Sequence, residues 1–137
     1  MVKSRILVVD DNASLTSLVD HYLSKSGLYD VRVENRSSQA LAAAQEFRPD
    51  LVLLDVDMPG KDGGAVAAQL AADRVLRHCP FIFFTSLISG SEAGQGEVMR
   101  GGWLYLAKPV EARVLLETVE RVLRRGSPAV EARSRGQ

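Results

Sequence analysis

Four short apolar runs dominate the sequence: residues 6–9 (ILVV), 51–54 (LVLL), 81–84 (FIFF) and 103–107 (WLYLA). Each stops at a polar residue, in turn Asp10, Asp55, Thr85 and Lys108. Three of the runs are nearly continuous in apolar residues. Side chains alternate faces along a strand, so a continuously apolar strand belongs in a sheet covered on both sides, which usually means a parallel sheet. Val31 and Val33 alternate with Arg32 and Glu34. That fifth strand is half exposed and belongs at an edge.

Helical patterns fill the gaps. Leu15, Leu18, Val19, Tyr22 and Leu23 follow the spacing of one helix face, and Gly27 is placed to end it. Ala40, Leu41, Ala44 and Phe47 make a second stripe, closed by Arg48-Pro49. Val66, Leu70 and Ala71 make a third, with Arg74 and Arg77 on another face of it. Leu115, Val119, Val122 and Leu123 make the last. Strand and helix alternate five times, which gives an α/β class with right-handed crossovers. The stretch between Thr85 and Trp103 is broken by Gly90, Gly94, Gly96, Gly101 and Gly102 and supports at most a short helix over Glu97 to Arg100. Residues 126–137 have little to bury and read as a flexible tail.

The 137 residues suit one domain, over residues 3–125. Lys+Arg and Asp+Glu both total 17, so no basic excess points to nucleic acid or to an acidic membrane surface. Cys79 is the only cysteine, which rules out an internal disulfide. No run approaches the length of a membrane span or a signal-peptide core, so the expectation is a cytoplasmic protein. His21 and His78 read as surface residues on helices, without a metal role.

Ligands of an open parallel sheet bind outside the C-terminal strand ends. Asp10, Asp11, Asp55, Thr85 and Lys108 all fall there. Taken singly each has a plainer explanation, such as Asp10 or Asp11 capping the helix that starts near Asn12. Taken together they form a site. Two carboxylates about 4 Å apart repel by roughly 4 kcal/mol at an effective dielectric near 20. Clustered acids therefore need a cation or a raised pKa. Oxygen ligands in small number suit Mg²⁺. A carboxylate beside such a cation can attack phosphorus. Lys108 adds a positive point, and Thr85 a hydrogen-bond donor for a phosphoryl oxygen.

The pieces ILVVDDN, DLVLLDVDMPGKDG, FFTS and LAKP, in this order, resemble the receiver domain of two-component response regulators. The resemblance spans about residues 3–125. It implies a (βα)5 flavodoxin-like fold, a five-stranded parallel sheet in the order 2-1-3-4-5. It implies phosphorylation at Asp55 and a Mg²⁺ site made by Asp10, Asp11, Asp55 and the backbone carbonyl of Asp57. Thr85, Ser86 and Lys108 match phosphoryl-binding positions, with Ser86 small enough to leave room for the group. Tyr105 matches an aromatic switch position. The Lys108–Pro109 bond matches one that is usually cis. Val110 stands where an aromatic is common, and the glycine-rich segment replaces a full fourth helix.

The resemblance implies a protein that takes a phosphoryl group from a histidine kinase or a histidine phosphotransfer protein. It would then signal to another protein as a monomer or weak homodimer, without direct nucleic-acid or membrane binding, and would not be an enzyme. No output-domain pattern follows Arg125, so the expected form is a stand-alone receiver. Three alternatives remain. One is a degenerate receiver that binds proteins without phosphorylation. Another is an aspartyl-phosphate phosphatase of the haloacid-dehalogenase type, which also uses an Asp-x-Asp after an apolar strand. That type wants its motif near the N-terminus and a second acidic pair downstream, the reverse of the order here. The third, a flavin-binding module, wants amides and hydroxyls where residues 10–14 begin with two acids.

Overall fold

The structure is a computed structural model that describes residues 3–56, 63–86, 97–100 and 103–125. Six strands form one sheet: β1 (Ser4–Val9), β2 (Tyr29–Glu34), β3 (Leu51–Asp55), β4 (Phe81–Thr85), β5 (Glu97–Arg100) and β6 (Trp103–Ala107). Four α-helices are described: α1 (Ala13–Lys25), α2 (Ala40–Phe47), α3 (Gly63–Ala72) and α4 (Ala112–Arg125). The sheet order is β2-β1-β3-β4-β6-β5. The first five in that order are parallel, which is the expected 2-1-3-4-5 arrangement, with β2 at an edge.

The sixth strand corrects the reading of residues 97–100 as a short helix. β5 runs antiparallel to β6, with Glu97 opposite Leu106 and Arg100 opposite Trp103. Four residues are too few to show a helical or strand period, and the neighbouring ladder decides between them.

Both faces of the parallel sheet are covered, as the unbroken apolar runs require. Ile6, Val8, Leu51, Leu53, Ile82, Phe84, Leu104 and Leu106 pack with Val19, Leu23, Leu115, Val119 and Val122 of α1 and α4. The alternate residues Leu7, Val9, Val52, Leu54, Phe81 and Phe83 pack with α2 and α3 through Ala40, Ala43, Ala44, Val66, Ala67 and Leu70. Each fully buried large side chain contributes about 1.5–3 kcal/mol relative to exposure. The alanines of α2 let that helix lie close against the strands.

Helix ends follow local chemistry. The Asn12 side chain caps α1 by accepting the Leu15 N–H, and Gly27 takes φ +76 just past its end. Arg48 closes α2 in the left-handed region at φ 53, and Pro49 follows. Two stripe assignments need correction. Leu18 is 41% exposed, because α1 buries the narrower stripe Thr16, Val19 and Leu23. Helix α3 stops at Ala72, so Arg74, Arg77 and His78 lie in the turn before β4 rather than on a helix.

Candidate functional site

Strand register brings the polar residues to one level. Val9 pairs with Leu54, Asp55 with Phe84, and Thr85 with Ala107. The residues that end β1, β3, β4 and β6 therefore meet at the C-terminal edge of the sheet. The Lys108 N–H donates to the Thr85 carbonyl at 3.0 Å and the Val56 N–H to the Phe84 carbonyl at 3.1 Å, which extends the ladder past the last strand residues.

Asp10 and Asp55 are buried, at 1% and 2% exposure, while Asp11 is exposed. One carboxylate oxygen from each of the three lies within 4.8 Å of the others. Lys108 Nζ donates to Asp55 Oδ1 at 2.7 Å and stands 3.8 Å from Asp10 Oδ2. The Asn12 N–H donates to Asp10 Oδ1 at 2.9 Å. Asp10 Oδ2 is buried and accepts no hydrogen bond. Neither Asp10 nor Asp11 caps α1, since Asn12 does.

Burial, above all, pushes the Asp10 carboxyl up to about 7, and the neighbouring Asp55 charge adds to the rise. The Asn12 N–H and Lys108 oppose it. Three carboxylates and one ammonium leave a formal charge of about −2 when all are ionised, which a divalent cation balances. The donors are hard oxygens, and Asp10 Oδ2 is a buried oxygen still lacking a hydrogen-bond donor. The residues present fit Mg²⁺.

Thr85 is buried and Ser86 exposed at the same sheet edge. The Lys108–Pro109 peptide is cis, and Val110 is buried behind it. Asp57 lies outside the described residues, as does the tail at residues 126–137. Tyr105 is not among the clustered carboxylates. It lies on the α3 face of the sheet, 5.2 Å from the Phe83 ring, and Trp103 of the same strand lies 5.5 Å from that ring. Val56, Ala67, Ala68, Ala71, Phe83, Trp103 and Tyr105 line a shallow groove of about 200 Å³. Trp103 and Tyr105 are half-buried, so each serves the core and the surface together.

The sequence reading missed Asn35. Its Nδ2 donates to the Asp10 carbonyl at 2.8 Å and to Thr16 Oγ1 at 2.9 Å. A short amide directly after the alternating strand was the available signal. Its partners, 25 and 19 residues away, are visible only in the fold.

A doubly wound α/β sheet whose acids and lysine cluster at its C-terminal edge presents them where such sheets bind ligands. The receiver-domain model of response regulators matches residues 6–120, and the chain belongs to that family. Receiver domains are signalling modules of two-component systems, and phosphorylation and Mg²⁺ are typical of them. The chain is 36% identical over 130 residues to the DNA-binding response regulator MtrA of Mycobacterium leprae, covering 90% of this chain and 53% of that protein. It is 35% identical over 123 residues to the response regulator PleD of Caulobacter vibrioides, covering 90% of this chain and 27% of that protein. The chain thus spans about half the length of MtrA, or less in the case of PleD. Among solved structures, the Vibrio cholerae chemotaxis protein CheY4 superposes with a TM-score of 0.75 at 29% identity, covering 88% of this chain and 99% of that one. Among the described residues no helix is long and apolar enough to cross a membrane.

Proposed function

We propose that this chain is a phosphoacceptor receiver that takes a phosphoryl group onto Asp55. The observation that carries the reading is Asp55 itself. It is buried at the end of β3, in contact with Lys108 at 2.7 Å and grouped with Asp10 and Asp11. The donor class is a phosphohistidine on a histidine kinase or a phosphotransfer protein. An Asp55 carboxylate oxygen forms the new O–P bond. The P–N bond of the donor breaks, and the imidazole nitrogen leaves with the electron pair and takes up a proton.

Asp10, Asp11 and Asp55 would hold Mg²⁺, with the Asp57 carbonyl as the further ligand. When bound, Mg²⁺ offsets the repulsion between an anionic nucleophile and an anionic donor. Lys108 holds Asp55 in place before transfer and pairs with phosphoryl oxygens afterwards. Thr85 donates its hydroxyl to the phosphoryl group, and Ser86 leaves space for it. Asp10 Oδ1 is fixed by the Asn12 amide, which leaves Oδ2 turned to the cluster. Phosphorylation adds about −1.5 to −2 charge units and new acceptor oxygens. Thr85 and Lys108 then shift toward the group, and Tyr105 repacks against Phe83 and the groove. This is a two-state element biased by charge.

The output in this reading is contact with another protein in the cytoplasm. Zero net charge and the half-buried Trp103 and Tyr105 support a protein partner over nucleic acid or a membrane surface. The chain acts as a monomer or weak homodimer and turns over no substrate of its own.

The test is intact mass after incubation with acetyl phosphate, with and without Mg²⁺, beside Asp55→Asn. The expected result is one phosphoryl gain that requires both Mg²⁺ and Asp55. A gain that survives Asp55→Asn sinks the assignment. No gain from acetyl phosphate or from histidine kinases favours a receiver that binds proteins without phosphorylation.

A further inference from the structure

We infer that Asn35 is a positioning residue for the acidic pair, an inference that rests on the Mg²⁺ reading of the site. The β1 strand ends at Val9, so the Asp10 backbone must find partners beyond it. Two consecutive residues at the end of β2 supply them. The Glu34 carbonyl accepts the Asp10 N–H at 3.2 Å. The Asn35 amide donates to the Asp10 carbonyl at 2.8 Å. The same Nδ2 donates to Thr16 Oγ1 at 2.9 Å. Thr16 is 1% exposed, and its hydroxyl donates onward to the Ala13 carbonyl at 3.1 Å.

This tie fixes a peptide plane. The Asp10 carbonyl and the Asp11 N–H belong to one planar unit. Holding that carbonyl sets the direction in which the chain leaves toward the Asp11 Cα, and with it the place of the Asp11 carboxylate. Asp10 Oδ1 is held separately by the Asn12 amide. Asp10 Oδ2 and the Asp11 carboxylate remain to face Asp55. Mutual repulsion would otherwise spread these groups apart. Asn35 is bonded to none of the carboxylates and acts through the backbone between them. Partners outside the ligand set typically change metal affinity by about 10–100-fold.

A purely structural role would join β2 to α1 and no more. Thr16→Val separates the two roles, since it removes the α1 end of the tie and leaves the Asn35–Asp10 bond. The experiment is a Mg²⁺ titration of the full chain followed by backbone amide NMR shifts. Wild type, Asn35→Ala and Thr16→Val are compared, with urea unfolding run beside each. The expected result is a Mg²⁺ dissociation constant raised about tenfold in Asn35→Ala and changed by no more than about twofold in Thr16→Val. If Asn35→Ala does not fold, Asn35→Ser keeps a polar side chain too short to reach Asp10, and the same loss is expected. Affinity equal to wild type in the Asn35 variants overturns the inference, and so does an equal loss in Thr16→Val. A wild-type chain with no Mg²⁺ response overturns the Mg²⁺ reading itself, and the positioning role with it.

Discussion

The two ends of the sheet bury titratable groups by the same physics and to opposite effect. At the N-terminal end, the Asp50 carboxylate accepts the Arg5 N–H at 2.7 Å, and the Asp50 N–H returns to the Arg5 carbonyl at 2.7 Å. Cys79 lies nearby, its thiol 3.5 Å from the Pro49 carbonyl. Burial, helped by Asp50, pushes that thiol up to about 12. A thiol held there stays neutral throughout the physiological range. At the C-terminal end, burial and Asp55 push Asp10 up to about 7, within that range. One end closes the structure and is electrically quiet. The other, among the described residues, gathers three acids around Lys108 and stays sensitive to protons and cations. Burial alone does not make a site; the number of like charges brought together does.

The largest expected effect is at Lys108. Lys108→Met leaves Asp55 without its 2.7 Å partner and should lower metal-free stability at pH 8 by about 3 kcal/mol, near the low end for breaking a buried pair. Urea unfolding checks this, and a loss under about 1 kcal/mol would mean the carboxylates do not depend on the lysine.

The next effect is a pH dependence with a defined sign. Asp10 has a raised pKa in the folded chain, so between 3.8 and about 7 the folded state holds a proton that the unfolded state has lost. Its contribution to metal-free stability is therefore present at low pH and fades as pH rises through that window. The urea midpoint should fall from pH 5 to pH 8, and Asp10→Asn should flatten the fall. Mg²⁺ should restore stability at pH 8, because binding only the folded state stabilises it. The quiet end provides the contrast, with Cys79 costing stability only above about 9, where the unfolded thiol ionises first.

Smaller effects belong to the closed end. Asp50→Ala removes the bond to the Arg5 amide and should cost about 1 kcal/mol, with phosphoryl uptake at Asp55 unchanged. A change in uptake would show that the two ends are coupled. Smallest is Arg48→Gly, which relieves a left-handed residue at the end of α2. Thermal unfolding should show a gain of less than about 1 kcal/mol.

Much of this was legible because the relevant chemistry is local. The runs at residues 6–9, 51–54 and 81–84 are apolar on both faces, and a chain can bury both faces of a strand only under two layers of helices. Asp10, Asp55 and Thr85 directly follow such runs and Lys108 follows the fourth run, residues 103–107, so their convergence follows once the strands are parallel. Leu18 was misplaced because helical periodicity tolerates a wider stripe than α1 buries. The fate of residues 97–100 depended on the outer edge of β6, which no window of four residues can register.

The sequence by itself determined the class of fold, the strand order implied by its resemblance, and which acids stand at strand ends. Those properties depend on periodicity and on neighbours along the chain. Only the tertiary structure decided that Asn35 braces the Asp10 carbonyl, that Asp10 Oδ2 faces the cluster without a hydrogen bond, and that β5 extends the sheet. Each of these depends on atoms far apart in the chain, and their distances exist only once the sheet has set its register.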